Sequence, residues 1–295
     1  MHPAPACEVC STPTRFWAVI ESYNHYRCGH CGHLFVHPRP SQETLDAFYM
    51  GGRYYDKAEA EQDRLLREAA QRLRRLDRLC LRFGLTRRML DVGCASGYFI
   101  KQAVDAGWQA TGIDRSVTLA QRAREHAATL VIDGILEELD LADSPYPVVT
   151  AWEVVEHARD PRTFFSALVK NTVPGGLLAL STPLANGIPA RMLGTKFPML
   201  IPPEHLSLFT RRSINLLASG FGLEEVSYRS FSNLGPASLA SGFAKLIFRR
   251  NIDQVSAAGR AACRLAGWAL AWVPMAVDGA GWGSEMEIVF RRKPQ

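Results

Sequence analysis

The ten residues Leu90-Asp91-Val92-Gly93-Cys94-Ala95-Ser96-Gly97-Tyr98-Phe99 restrict the fold of this chain more than any other stretch. The apolar run Met89, Leu90 and Val92 reads as a buried strand, and Tyr98 to Ala106 reads as a helix. Two glycines keep the strand-to-helix turn tight and let a ligand approach the backbone closely. In a doubly wound sheet such a turn stands at the carboxyl end of the first strand, where ligands bind. The spacing is G-x-A-x-G, not the G-x-G-x-x-G of a dinucleotide site. Asp91 also repels phosphate and suits a ligand with an ammonium group and few negative charges.

The rest of the chain supplies a full core. It has 295 residues, of which 47% are hydrophobic, so a large domain with a small companion is expected and large-scale disorder is excluded. The formal charge is +5. That balance fits nucleic acid or anionic lipid, and equally an arginine bias on solvated helix faces. Met1-His2-Pro3-Ala4-Pro5 is not a basic segment followed by an apolar one, so a cytoplasmic protein is expected.

Seven cysteines are an odd count, and four of them form Cys7-x2-Cys10 and Cys28-x2-Cys31, seventeen residues apart. Two such turns bring four thiolates to one tetrahedral zinc. A closed shell leaves no open position for catalysis, so this metal folds or docks the segment. About forty residues cannot bury enough core to fold alone, which gives the metal its purpose. With the shell filled by Cys7, Cys10, Cys28 and Cys31, the nearby His25, His30, His33 and His37 are expected at the solvent.

The expected domains are a zinc ribbon over 1–40, connecting helices that cap the cofactor over 41–87, and the main domain over 88–295. Ser41 caps a helix that Gly51-Gly52 ends. A long helix from about Asp56 to Phe83 keeps Leu65, Leu66, Ala69, Leu73, Leu76, Leu79 and Cys80 on one period. Arg64, Arg67, Arg72, Arg74, Arg75 and Arg78 fall on other faces, which reads as a solvated amphipathic helix or, alternatively, an RNA-binding one. From Arg88, short apolar runs alternate with helical stretches, the signature of a parallel sheet. Strands are expected near 88–92, 109–113, 129–132, 147–152 and 176–181. Helices are expected near 98–106, 116–127 and 161–171. Two closing strands are placed at 222–231 and 284–291. Pro147 cannot donate to a ladder, so the strand that follows is expected to start after it.

Leu90 to Phe99 resembles motif I of the class I S-adenosylmethionine (SAM) methyltransferases, roughly L-D-V-G-C-G-x-G-x-F, with Ala95 for the middle glycine. The run Val148-Val149-Thr150-Ala151-Trp152-Glu153-Val154-Val155-Glu156-His157-Ala158-Arg159-Asp160-Pro161 resembles motif IV and its E-H-x-x-D-P extension. Pro147 stands where an Asp usually precedes the two valines. The likeness covers about residues 88–230 and is nearest to the ubiquinone-biosynthesis O-methyltransferases. It implies a Rossmann-like α/β fold with a seven-stranded sheet of order 3-2-1-4-5-7-6. It implies SAM bound by Asp91, Gly93, Cys94, Ala95, Gly97, Tyr98 and Phe99, with Trp152 and Glu153 nearby. Asp114, at the tip of the second strand, would take both ribose hydroxyls. Arg115 would lie near the adenine or the carboxylate. Asp133, Gly134 and Ile135 would hold the adenine, and Tyr55 would belong to an aromatic segment over the cofactor.

Methyl transfer from a sulfonium is an in-line displacement, for which the protein supplies alignment and a base. His157 and His205 are the candidate bases. Glu153, Glu156, His157 and His205 also resemble a magnesium site of related methyltransferases, so a catalytic divalent ion is an alternative reading. Between the closing strands lies an insert of about 232–281, in which Leu265 to Val277 carries no charge. It reads as a packed helix over the sheet, an interfacial helix peripheral to a membrane, or an apolar lid. The expected activity is methyl transfer to a small-molecule, glycan or lipid-linked acceptor at oxygen. The alternatives are an RNA or protein methyltransferase that docks through the ribbon, and a SAM-binding adaptor without catalysis.

Overall fold

The computed structural model describes residues 4–50, 62–232, 240–241, 244, 247–249, 252–270 and 272–294. Tyr55 and the start of the long helix lie outside these residues. The N-terminal segment forms three antiparallel strands, β1 (Thr14–Ile20), β2 (Tyr23–Cys28) and β3 (Leu34–Val36). The helix Gln42–Met50 follows, with Ser41 Oγ accepting from Thr44 N at 3.2 Å, and then the helix Gln62–Phe83.

The main sheet contains β4 (Arg88–Val92), β5 (Gln109–Asp114), β6 (Val131–Asp133), β7 (Tyr146–Trp152), β8 (Thr172–Pro183), β10 (Leu223–Phe231) and β11 (Glu285–Arg292). The two-residue β9 (Ser207–Leu208) lies outside it. The order is β10-β11-β8-β7-β4-β5-β6. Numbered within this sheet it reads 3-2-1-4-5-7-6, the expected order. Strands β4 to β8 run parallel, and β11 is antiparallel to both β8 and β10. Met89, Leu90, Val148, Val149, Leu177 to Leu180 and Ile288 are all buried, because helices cover both faces of a parallel sheet. Strand β7 begins at Tyr146, two residues before the start after Pro147 that the sequence suggests. Tyr146 pairs with Thr172, and an irregularity between Tyr146 and Val148 absorbs the proline.

The helix Gln62–Phe83 buries its apolar stripe as expected, but its arginines are not all solvated. Arg72 is buried, and its Nε stands 2.9 Å from Glu287 Oε1 on β11. Arg75 reaches the same carboxylate at 3.3 Å, and Arg229 Nε reaches it at 2.6 Å. Burial pushes Glu287 up, yet the Arg229 and Arg72 guanidiniums outweigh it and hold the carboxyl below its ordinary range. An arginine three or four residues from a leucine can turn inward when a carboxylate on a neighbouring strand neutralises it. The helical period cannot reveal that partner.

Two residues along β11, Glu285 has the opposite fate. Burial, and the negative charges of Glu153 and Glu68, push it to about 9. An acid raised in the folded state loses stability as pH climbs from its unfolded value of about 4.3 towards that figure. Glu285→Gln is therefore expected to gain stability relative to the parent between about pH 6 and about pH 9, measured by denaturant unfolding at both ends. An unchanged difference across that window would contradict the assignment.

The ribbon is joined to the main domain. β3 pairs with β9, so the small sheet runs β1-β2-β3-β9. Cys7, Val9, Cys28 and Cys31 share one apolar cluster with Val155, Phe209 and Ile214. This packing corrects the expectation of solvent-facing histidines for His25 and His33, whereas His30 is exposed and His37 half-buried. His33 is fully buried between Phe35 and Phe209, with ring centroids at 5.1 and 4.8 Å, and His25 is buried as well. Late in the chain, the helices Ala257–Ala269 and Trp272–Gly279 precede β11. Among the described residues no helix is long and apolar enough to cross a membrane.

Candidate active site

Strands β4 and β5 end side by side, and the turn after β4 closes over the tip of β5. Gly93 and Gly97 sit at φ +72° and +84°, a region that costs an L side chain energy. Space forbids a side chain too. A Cβ on Gly97 would lie 2.9 Å from the Ala123 backbone, and one on Gly93 would lie 2.5 Å from Val154. Ala95 takes φ +48° without being glycine, so the departure from three glycines carries the same backbone cost. Gly97→Ala is expected to cost about 1–3 kcal/mol by strain and overpacking. The loss is read as a lower unfolding midpoint together with weaker SAM binding.

Asp114 caps the arrangement. Its Oδ2 accepts from Ala95 N at 2.8 Å and its Oδ1 accepts from Ser116 N at 2.8 Å. Burial raises its pKa against these two bonds. A carboxylate has about four lone-pair directions, so two remain to accept hydroxyls. The group faces a cavity of about 720 Å³.

That cavity sorts the expected residues. Gly93, Ala95, Asp114, Arg115, Gly134, Ile135, Glu153 and His157 line it. Asp91, Cys94, Gly97, Tyr98, Phe99, Asp133, Trp152, Glu156 and His205 are not among its lining. Asp91 is buried behind the turn, where Thr150 Oγ1 donates to its Oδ1 at 2.6 Å, and burial raises it to about 7. Asp133 turns outward to Arg124. Trp152 is clamped between the Arg72 guanidinium at 4.5 Å and Phe99 at 5.4 Å. Gln42, Leu45, Asp46, Glu137 and Phe164 join the lining without having been singled out in the sequence. Asp46 pairs with Arg115, which draws the helix Gln42–Met50 over the cavity mouth. The Ser41 cap marks where that helix starts, but no local signal says what it covers.

The far wall comes from the end of β7. Glu153 adopts φ +53°, and its N–H donates to Ser181. His157 Nδ1 lies 2.8 Å from the Glu204 carbonyl oxygen, and His205 Nδ1 lies 2.7 Å from that of Met199. A carbonyl only accepts, so each neutral ring carries its proton on Nδ1 and its lone pair on Nε2. The two rings meet edge to face at 4.9 Å. Burial, with His205 adding to it, lowers His157 to about 3. Glu153 and Glu156 are both raised by burial, and Glu156 further by the facing Glu153. Phe197 and Leu200 pack with Leu34 and Leu208, away from the cavity.

Two groups of side chains have metal-ligand chemistry. The Sγ atoms of Cys7 and Cys31, and those of Cys10 and Cys28, lie 3.6 Å apart. A tetrahedron with Zn–S bonds of about 2.3 Å has edges of about 3.8 Å, so the four cysteines fit zinc. Glu156, His157 and His205 also bring ligand atoms within 4.8 Å of one another, a group that leaves out Glu153. Magnesium demands mostly oxygen ligands, and two imidazoles with one buried carboxyl do not supply them.

The fold agrees with comparisons to known proteins. A family profile described as "Methyltransferase domain" matches residues 60–228, more than half of the chain. A ubiquinone biosynthesis O-methyltransferase of Alkalilimnicola ehrlichii is 36% identical over 102 residues, covering 32% of this chain and 41% of that protein. One from Klebsiella pneumoniae is 32% identical over 126 residues, covering 40% and 52%. The chain therefore spans about half or less of the curated relatives it matches. A solved SAM-dependent methyltransferase from Archaeoglobus fulgidus aligns at TM-score 0.53 and 18% identity, over 80% of this chain and 99% of that one. Magnesium protoporphyrin IX methyltransferase from Synechocystis aligns at TM-score 0.51 and 17% identity, over 65% and 94%. These two show the shared fold. The chain belongs to the methyltransferase-domain family and has the α/β fold of the class I SAM-dependent enzymes.

Proposed function

We propose that the chain transfers a methyl group from SAM to an oxygen of a small-molecule acceptor. One observation carries the reading: the Gly93–Gly97 turn and the Asp114 carboxylate open onto the same cavity as His157. In this reading the turn lets the cofactor lie against backbone, Asp114 accepts its ribose hydroxyls, and Gly134 and Ile135 border its base. SAM supplies an electrophilic methyl on a sulfonium. His157 stands on the cavity wall as the base, with its Nδ1 anchored by the Glu204 carbonyl. So weak a base takes a proton only as the acceptor oxygen acquires positive character in the transition state, and a phenol, being more acidic than an alkyl alcohol, asks less of it. Phenolic acceptors therefore fit better than alkyl alcohols or glycans. His205 acts through His157, as the ring against its edge. Arg72 and Arg75 are spent on Glu287, which removes much of the basic helix face that an RNA acceptor would use.

The test is a product screen with SAM and separate panels of phenols, alcohols, glycans, lipid-linked acceptors, RNA and protein. The expected result is a mass gain of one methyl on a phenolic small molecule, equal with and without added magnesium. Methylation confined to RNA or protein would overturn the proposal.

A further inference from the structure

The helix pair Ala257–Ala269 and Trp272–Gly279 is amphipathic in the reverse sense. Its narrow inner face is Cys263, Gly267 and Pro274. Its large apolar side chains point outward: Leu265 is 72% exposed, Trp268 73%, Trp272 64% and Met275 73%. Leu265 and Trp268 stand three residues apart on the first helix, and Trp272 and Met275 three apart on the second, so each helix exposes a neighbouring apolar pair. Trp282, 56% exposed, extends this face. The patch continues onto the helix Ile188–Leu193, because Ile188 N donates to the Trp282 carbonyl at 2.9 Å and Met192 and Leu193 are exposed there.

Charge identifies what covers this face. Residues 257–282 contain only three charged side chains, Arg260, Arg264 and Asp278. Asp278 is turned inward, accepting from Ser232 N at 2.9 Å and from Ser232 Oγ at 2.8 Å. Arg264 is exposed on the outer side, and Arg191 and Lys196 are exposed on the adjoining segment. Exposed apolar side chains rich in tryptophan, with the exposed Arg264, Arg191 and Lys196 beside them, match the headgroup region of an anionic bilayer. A second protein copy would place these cations against each other.

We propose that this face seats the protein on an anionic membrane surface without crossing it. The segment that carries the exposed Met192 runs on to His205, whose ring packs on His157 of the cavity wall. The exposed face and the His205 side of the cavity wall therefore share one stretch of chain. The docking itself does not depend on which acceptor is used, and it is measured without turnover.

The test is flotation of the full chain with vesicles of phosphatidylcholine alone and of phosphatidylcholine with phosphatidylglycerol. The expected result is flotation with the anionic vesicles, weakened by salt, and a partition at least about tenfold lower for the combined Trp268→Ser and Trp272→Ser variant. Arg264→Glu is expected to shift partition in the same direction. Both variants leave the cavity intact, so binding of S-adenosylhomocysteine, measured by calorimetry, reports that they are folded. Equal partition of parent and folded variants, or no binding to either vesicle, would overturn the proposal. So would a dimer that the tryptophan variant dissolves while vesicles bind neither protein.

Discussion

Replacing Cys28 by serine is expected to unfasten far more than the N-terminal segment. A four-thiolate zinc site supplies roughly 10–16 kcal/mol to a small folded unit. Here the unit is wedged into the main core. The Thr210 hydroxyl donates to the Cys31 carbonyl at 2.7 Å, Arg39 Nη1 donates to the Leu206 carbonyl at 2.6 Å, and Arg162 Nε donates to the Glu8 carbonyl at 2.8 Å. Leu206 then joins both sides, its N–H donating to the Glu156 carbonyl while its carbonyl accepts from Val36 N–H. If only about 3 kcal/mol of the zinc energy reaches the main domain, the unfolding midpoint falls by roughly 10 °C. Hydrogen exchange should rise at Leu206 and Ser207, beside His205. Methyl transfer should fall further than SAM affinity, because the His205–His157 wall is disturbed and the Asp114 side is not. A variant that loses zinc yet keeps its melting point and its protection at β9 would show that the ribbon is a passive attachment.

Asp114→Ala should nearly abolish cofactor binding. A hydrogen bond to a charged group contributes about 1.5–3 kcal/mol, so two ribose hydroxyls account for about 10²- to 10⁴-fold in affinity. The variant also strips Ala95 N and Ser116 N of their acceptor, which loosens the turn. Asp114→Asn keeps one oxygen acceptor and should lose less. Calorimetry with SAM reads the affinity, and circular dichroism confirms that the sheet survives. A loss smaller than about tenfold for Asp114→Ala would mean that the carboxylate holds the turn and does not touch the ligand.

The sheet was legible because its information is local. Each strand is a short apolar run that ends in a turn residue, and Asp160-Pro161 announces the next helix with a cap and a proline, as the structure bears out. The four cysteines were legible through their spacing. What the sequence hid depends on partners far away along the chain. Arg72 is buried only because Glu287, more than two hundred residues later, arrives on β11. His33 is buried because Phe209 closes over it. Asp46 and Glu137 line the cavity because one helix folds back over the strand tips and another short turn rises beside them. Asp91 is part of the most informative motif, yet it stands behind the turn on Thr150. A motif fixes where a residue sits in the chain, while the layer it occupies depends on the neighbouring strand.

In the proposed reading, the crevice between the tips of β4 and β5 grips a nucleoside whose sugar rests on Asp114. A crystal structure of the chain soaked with S-adenosylhomocysteine tests it most directly. Both ribose hydroxyls are expected within hydrogen-bond distance of the Asp114 carboxylate, with the sulfur on the side of His157. Density for the compound elsewhere, or a filled crevice in which Asp114 keeps only its two backbone partners, would contradict it.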